Sequence, residues 1–219
     1  MKVQKFIFND FREITYLVYD EKSRGTLIID PGCNKESEKK RIVEYIEKYG
    51  LKPVAIVNTH GHLDHICCNK FLKDKYNIEI LANEKELDNY RLAASVADFY
   101  GFPFEDSPLP DKYIQEGYEI AFGNSKLIVF ETPGHTAGSI SLLSPEKEIV
   151  FTGDVIFQGS IGRTDLPGGD LDVLIKTIKE KILTLPDETI IFAGHGYETT
   201  VGEEAKNNPF IREMINDKN

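Results

Sequence analysis

Residues 59–65 read Thr59-His60-Gly61-His62-Leu63-Asp64-His65, which places four metal-ligand side chains within six positions. Imidazole nitrogen mixed with carboxylate oxygen suits zinc or iron better than magnesium or calcium, whose shells are built from oxygen. His60 and His62, two apart on an irregular segment, can grip one ion. Asp64 and His65 are adjacent and offset from that pair, so they are better placed to serve a second ion beside it. An isolated histidine is usually a surface residue without a chemical role. Three of the chain's five histidines gathered into one heptapeptide are hard to read that way.

The elements that must position these side chains follow one theme. The apolar run 54–57 delivers the chain into His60. Run 127–130 leads to Pro133-Gly134-His135, run 148–151 to Thr152-Gly153-Asp154, and run 189–192 to Ala193-Gly194-His195. Four strands thus each end in a candidate ligand, with glycines beside the ligands for tight turns and close backbone approach. Strand ends converging on one edge of a layered α/β fold are a common place to build a site.

The remaining elements are read from periodicity. Residues 5–9, 13–20 and 25–30 are β-branched and aromatic runs split by polar turns, the pattern of an antiparallel meander that Asp30-Pro31-Gly32 ends. Residues 37–49 carry Ile42, Val43, Ile46 and Tyr49 at helical spacing, with Gly50 as the cap. A helix is expected over 63–75 and a strand over 78–82. Asn83 and Glu86 resemble a capping box ahead of a helix that runs to about Tyr100. A proline-rich loop spans 101–112. In helix 170–183, Asp170 serves as the cap and Leu171, Leu174, Ile175, Ile178 and Ile182 face the core. No convincing domain boundary interrupts the chain, so one domain is expected over residues 1–219.

Composition narrows the function classes. A 219-residue chain with 41% hydrophobic and 28% charged residues can bury a proper core. A net charge of −10 argues against a broad nucleic-acid footprint. No apolar stretch approaches the roughly 20 residues needed to cross a bilayer, and the N-terminus lacks a signal-peptide pattern. Neither a nucleic-acid partner nor a membrane is therefore expected. The three cysteines, Cys33, Cys67 and Cys68, do not suggest a disulfide framework, and they fit a reducing, cytoplasmic setting. Core packing is favoured over metal ligation for Cys67 and Cys68.

Taken together, T-H-G-H-L-D-H, P-G-H-T-A-G-S (133–139), F-T-G-D (151–154) and G-H-G (194–196) resemble the metallo-β-lactamase superfamily. The stretch Gly159-Ser160-Ile161-Gly162-Arg163-Thr164-Asp165-Leu166 and the later Asn208-Pro209-Phe210 are similar to its glyoxalase II-like branch, the hydroxyacylglutathione hydrolase relatives. The resemblance covers nearly the whole chain. It implies an α/β fold, a four-layer αββα sandwich with a two-metal site at one edge of the sheets. His60, His62 and His135 would take the first ion, and Asp64, His65 and His195 the second, with Asp154 bridging. Asp64 and Asp154 are the candidate catalytic carboxylates. The implied cofactor is a pair of divalent metal ions, zinc first, with iron or manganese as alternatives. Full-length glyoxalase II enzymes carry a C-terminal helical extension that helps hold glutathione, so a weaker preference for glutathione is expected of this chain.

The implied reaction is hydrolysis of a small-molecule thioester such as S-lactoylglutathione. A thiol leaves as thiolate without a strong general acid, because its pKa is about 8.5. A mononuclear iron persulfide dioxygenase-like oxidoreductase, a lactone or β-lactam hydrolase, and a non-catalytic metal-dependent binding protein stay open beside it. Asp30 either accepts a ligating histidine's N–H or only opens the Asp-Pro-Gly turn. Arg163 either meets substrate anions or pairs with a carboxylate such as Asp165, the pairing being favoured.

Overall fold

The structure is a computed structural model that describes residues 1–146 and 148–216. The chain divides into two compact units, residues 1–114 with 120–126, and residues 115–119 with 127–219.

In the first unit, strands β1 (Lys2–Phe8), β2 (Glu13–Tyr19) and β3 (Gly25–Ile29) form the expected antiparallel meander. The chain then switches to parallel pairing. β4 (Lys52–Val57) lies beside β3, and β5 (Glu79–Ala82) and β6 (Lys112–Tyr113) follow, giving the order β1-β2-β3-β4-β5-β6. Parallel neighbours need crossovers, and helices supply them. Helix α1 (Glu36–Lys48) precedes β4, α2 (Leu63–Ile66) and α3 (Asn69–Tyr76) precede β5, and α4 (Leu87–Tyr100) precedes β6. Gly50 ends α1 in the left-handed region at φ 59°, as its cap role requires. Ile42 and Ile46 of α1 bury against Leu17, Ile28, Ile56 and Leu72, while Val43 packs on the margin of the same cluster.

Two expectations need correction here. The helix expected over 63–75 is two helices broken at Cys67-Cys68. There the Cys68 N–H leaves the helical pattern and donates to Pro31 O at 3.0 Å. Cys68 is also disulfide-bonded to Cys33, with Cα atoms 5.2 Å apart, against the reading of three unpaired thiols. Loop geometry brings together two cysteines 35 positions apart, which neither spacing nor an odd count reveals. The compartment inference drawn from the cysteines loses its ground with that bridge. No described helix is long and apolar enough to cross a membrane.

The second sheet has the order β14-β13-β10-β9-β8-β7. Its strands are β7 (Glu119–Phe122), β8 (Ser125–Glu131), β9 (Ile140–Leu143), β10 (Ile149–Gly153), β13 (Ile190–Ala193) and β14 (Thr199–Thr200). A small hairpin, β11 (Ile156–Phe157) with β12 (Ser160–Ile161), follows β10. Helix α5 (Leu171–Thr177) starts on Asp170, whose Oδ1 accepts the Val173 N–H at 3.0 Å, and passes into a wider π-helical turn over Ile178–Ile182. Leu174, Ile175, Ile178 and Ile182 are buried with Val150 and Ile191, but Leu171 is 45% exposed and does not belong to the core stripe. Helices α6 (Val201–Asn207) and α7 (Pro209–Asn216) close the described chain.

Candidate metal centre

The apolar end of β4 carries the chain through Asn58 and Thr59 into His60, and buried polar groups then fix the backbone of the ligand segment. The Asn58 side-chain amide donates to His65 O at 3.0 Å, and its oxygen accepts from Tyr90 OH and Asn69 Nδ2. Asn9 Nδ2 donates to Asp64 O at 3.2 Å and to Gly32 O at 3.0 Å. The carboxylate of Glu86, fully buried just ahead of α4, accepts the Gly61 N–H at 2.7 Å between the two histidines. Glu86, expected as part of a capping box, thus works on the ligand loop. Leu63 and Ile66 of α2 bury beside Tyr90, Ala93 and Ala97, which leaves Asp64 on the half-buried side.

The ring orientations follow from Asp30. Its Oδ1 accepts the Thr59 N–H at 2.7 Å, and its Oδ2 accepts the Thr59 hydroxyl at 2.6 Å and lies 3.1 Å from His65 Nδ1. A carboxylate only accepts, so His65 holds its proton on Nδ1. The Thr59 hydroxyl has spent its proton on Asp30, so at 3.1 Å it accepts from His60 Nδ1. Both rings are thereby set with Nε2 as the lone-pair nitrogen. This is the arrangement metal-ligating histidines need. Asp30 does both jobs left open by the sequence, since it also turns the chain at φ 48°. Behind it, Glu13 is fully buried, and burial above all pushes its carboxyl well above the usual range; Asp30 and Asp64 add to that and His65 opposes it.

In the second unit His135, Asp154 and His195 come together. Gly134 lies at φ 132°, and a side chain there would collide with the Leu174 backbone, so only glycine lets His135 sit so close to α5. Thr177 Oγ1 donates to Pro133 O at 2.8 Å and holds the same turn. His135 Nδ1 donates to the Arg163 carbonyl at 2.7 Å, which again makes Nε2 the lone-pair nitrogen. His135 Nε2 lies 3.8 Å and His195 Nε2 3.5 Å from Asp154 Oδ2; in the first unit His65 Nε2 lies 3.6 Å from Asp64 Oδ2. These separations are long for hydrogen bonds. They resemble the ~3.4 Å edge of a tetrahedron whose ligands stand about 2.0–2.1 Å from an ion. The donor chemistry, the preset tautomers and these edges all fit divalent metal binding.

The Arg163 side chain pairs with Asp165 through two 2.7 Å hydrogen bonds, as favoured, but on the surface rather than in the interior. Sequence reasoning missed the service of its backbone carbonyl to His135. Cys67 is buried and its thiol is pushed well above its usual range, chiefly by burial, so it has the character of a core residue and not of a nucleophile.

Comparisons with known proteins give four concordant findings. A family model described as the metallo-beta-lactamase superfamily matches residues 11–195. The hydroxyacylglutathione hydrolase GloC of Haemophilus influenzae is 38% identical over 213 residues, spanning 96% of this chain and 98% of its own. Among solved structures, the BLEG-1 B3 metallo-beta-lactamase superposes with TM-score 0.87 at 33% identity, covering 96% of this chain and 99% of its own. TTHA1623 in a di-iron-bound form does so with TM-score 0.83 at 36% identity, covering 96% and 100%.

Proposed function

Since the chain belongs to the metallo-β-lactamase superfamily and has its αββα fold, we propose that this metal-dependent hydrolase acts on thioesters of the S-lactoylglutathione class. His60, His62 and His135 would hold one divalent ion, and Asp64, His65 and His195 a second, with Asp154 able to serve both. Zinc is the first choice of metal. Iron is the second, since the similar TTHA1623 was crystallised in a di-iron-bound form. When bound, such ions supply a water acidic enough to lose a proton near neutral pH and draw charge from the attacked carbonyl.

The chain's own residues orient and neutralise. Asp30, through His65 and Thr59, fixes two imidazoles before any ion arrives, and the Arg163 carbonyl fixes a third. Preset ligands reduce the reorganisation that binding requires. With two divalent ions bound, Asp64 and Asp154 would offset two of the four positive charges and leave a net positive site, suited to an anionic acyl-thiol. A thiol of pKa about 8.5 can depart as thiolate without a strong general acid, and the buried Cys67 is given no part in the reaction.

The observation that carries this reading is the set of Nδ1-anchored histidines, which suit metal-activated hydrolysis and leave no need for a side-chain nucleophile. The 38% identity to GloC supports the thioester as the substrate class. The test is a panel of a lactoyl-thioester, a lactone and a persulfide offered to metal-loaded protein, with chelated protein as the blank. Chelator-sensitive thioester turnover above the other two is expected. Preferential persulfide turnover with one iron per chain would replace this reading.

A further inference from the structure

The motif Asn208-Pro209-Phe210 and the hairpin that follows Asp154 have no part in the reaction as described, yet two buried polar side chains join them. Glu204, on α6, is 1% exposed and Asn208 is fully buried. Glu204 Oε2 accepts the Gly159 N–H at 2.9 Å, at the tip of the β11–β12 hairpin. Asn208 Nδ2 donates to Ser160 O at 3.0 Å and to Glu204 Oε2 at 2.8 Å. Glu204 Oε1 accepts the Thr199 hydroxyl at 2.6 Å, so both carboxylate oxygens are engaged. The surroundings are otherwise apolar: Ile156 and Ile161 of the hairpin, Val201 and Ile211 share one core cluster. Placing a carboxylate there is costly compared with another aliphatic side chain, and a hairpin that needed only packing would not require it.

The hairpin begins and ends at the metal centre. It leaves from Asp154, pairs Ile156 with Ile161 and Phe157 with Ser160, and returns through Gly162, whose N–H donates to Val155 O at 3.3 Å. The next residue, Arg163, supplies the carbonyl that accepts from His135 Nδ1. The geometry points to Glu204 and Asn208 as positioning residues for His135, which pin the hairpin and so hold the Arg163 carbonyl against the imidazole. Neither touches substrate or metal. Both act through the backbone, which is why the link leaves no mark at His135 itself. The inference rests on His135 being a metal ligand, and it assigns the segment after β14 a role in tuning that ligand.

The test uses the full-length zinc-loaded protein and two readouts, the zinc affinity and the solvent exchange of the His135 Nδ1 proton measured by long-range proton–nitrogen NMR. The variants are Glu204→Ala, Glu204→Gln and Asn208→Ala. Asn208→Ala and Glu204→Gln are the milder changes if Glu204→Ala does not fold. Thr200→Ala is the control, because it removes the α6 cap at the Glu203 N–H without touching the hairpin. Loss of an outer hydrogen-bonding partner weakens metal binding by about 10–100-fold. An indirect link belongs at the lower end, so Glu204→Ala and Asn208→Ala are expected to weaken the tighter zinc site about tenfold and to speed proton exchange at His135. Glu204→Gln, which keeps an acceptor, should recover part of both, and Thr200→Ala should change neither. Unaltered exchange and affinity in the alanine variants, or an equal loss in Thr200→Ala, would overturn the inference. If wild-type protein binds neither zinc nor iron, the proposed function fails. The NMR comparison in the metal-free protein then still decides whether these residues position His135.

Discussion

Asp30 shows most directly how one side chain prepares the centre, since it accepts from Thr59 twice and from His65 once while standing at φ 48°. Asparagine tolerates that conformation and can keep a bond to Thr59, but it lacks the charge that draws the His65 Nδ1 proton. Asp30→Asn is therefore expected to fold and to lose about 10–100-fold in metal affinity, checked by competition against a chromogenic chelator. Next to it, Gly32 has no room for a methyl group, because a Cβ would overlap the Glu13 carboxyl and the Asp64 carbonyl. Gly32→Ala should cost about 1–3 kcal/mol of stability by overpacking, read from urea melts, and should displace Asp64. The candidate ligands of residues 60–65 were legible in the sequence because three histidines and an aspartate crowd one heptapeptide. Glu86 and the Arg163 carbonyl were not. A carboxylate that serves a distant backbone N–H leaves no spacing pattern, and a carbonyl has no residue identity at all.

At the level of elements, the strand-to-ligand theme was readable because apolar runs ending in glycine and a ligand recur four times. The break between α2 and α3 was not, since it depends on Pro31 and Cys33 approaching from another part of the chain. That bridge closes a loop with a sequence separation of 35, for which chain entropy gives up to about 4 kcal/mol. Oxidised protein should show one titratable thiol in denaturant, Cys67, and reduced protein three, with the reduced form melting at lower urea. Equal midpoints would remove the bridge from the stability of this unit. Asp20 ties the β2–β3 turn to the β7–β8 turn through the Ser23 N–H, Ser125 hydroxyl and Asn124 amide. The Ser23 hydrogen bonds lead in holding its carboxyl far below the usual value of 3.8. As pH falls the unfolded chain takes up that proton first, so the stabilisation is complete above about pH 4 and fades below it. Asp20→Ala should lower Tm at pH 7, and the gap to wild type should narrow as pH drops from about 4 towards 2. A gap that stays constant over that range would contradict the assignment.

For the whole molecule, the proposal is hydrolysis that depends on two ions, built on family membership, seven candidate ligand positions and the preset imidazoles. The measurement that bears on this most directly is a titration of metal-depleted protein with zinc, following hydrolysis of a lactoyl-thioester against the zinc bound per chain. On this proposal turnover should be absent without metal, rise with occupancy and level off at about two equivalents. Full activity at one equivalent, or a protein that holds two and hydrolyses no thioester, would contradict a dinuclear thioester hydrolase.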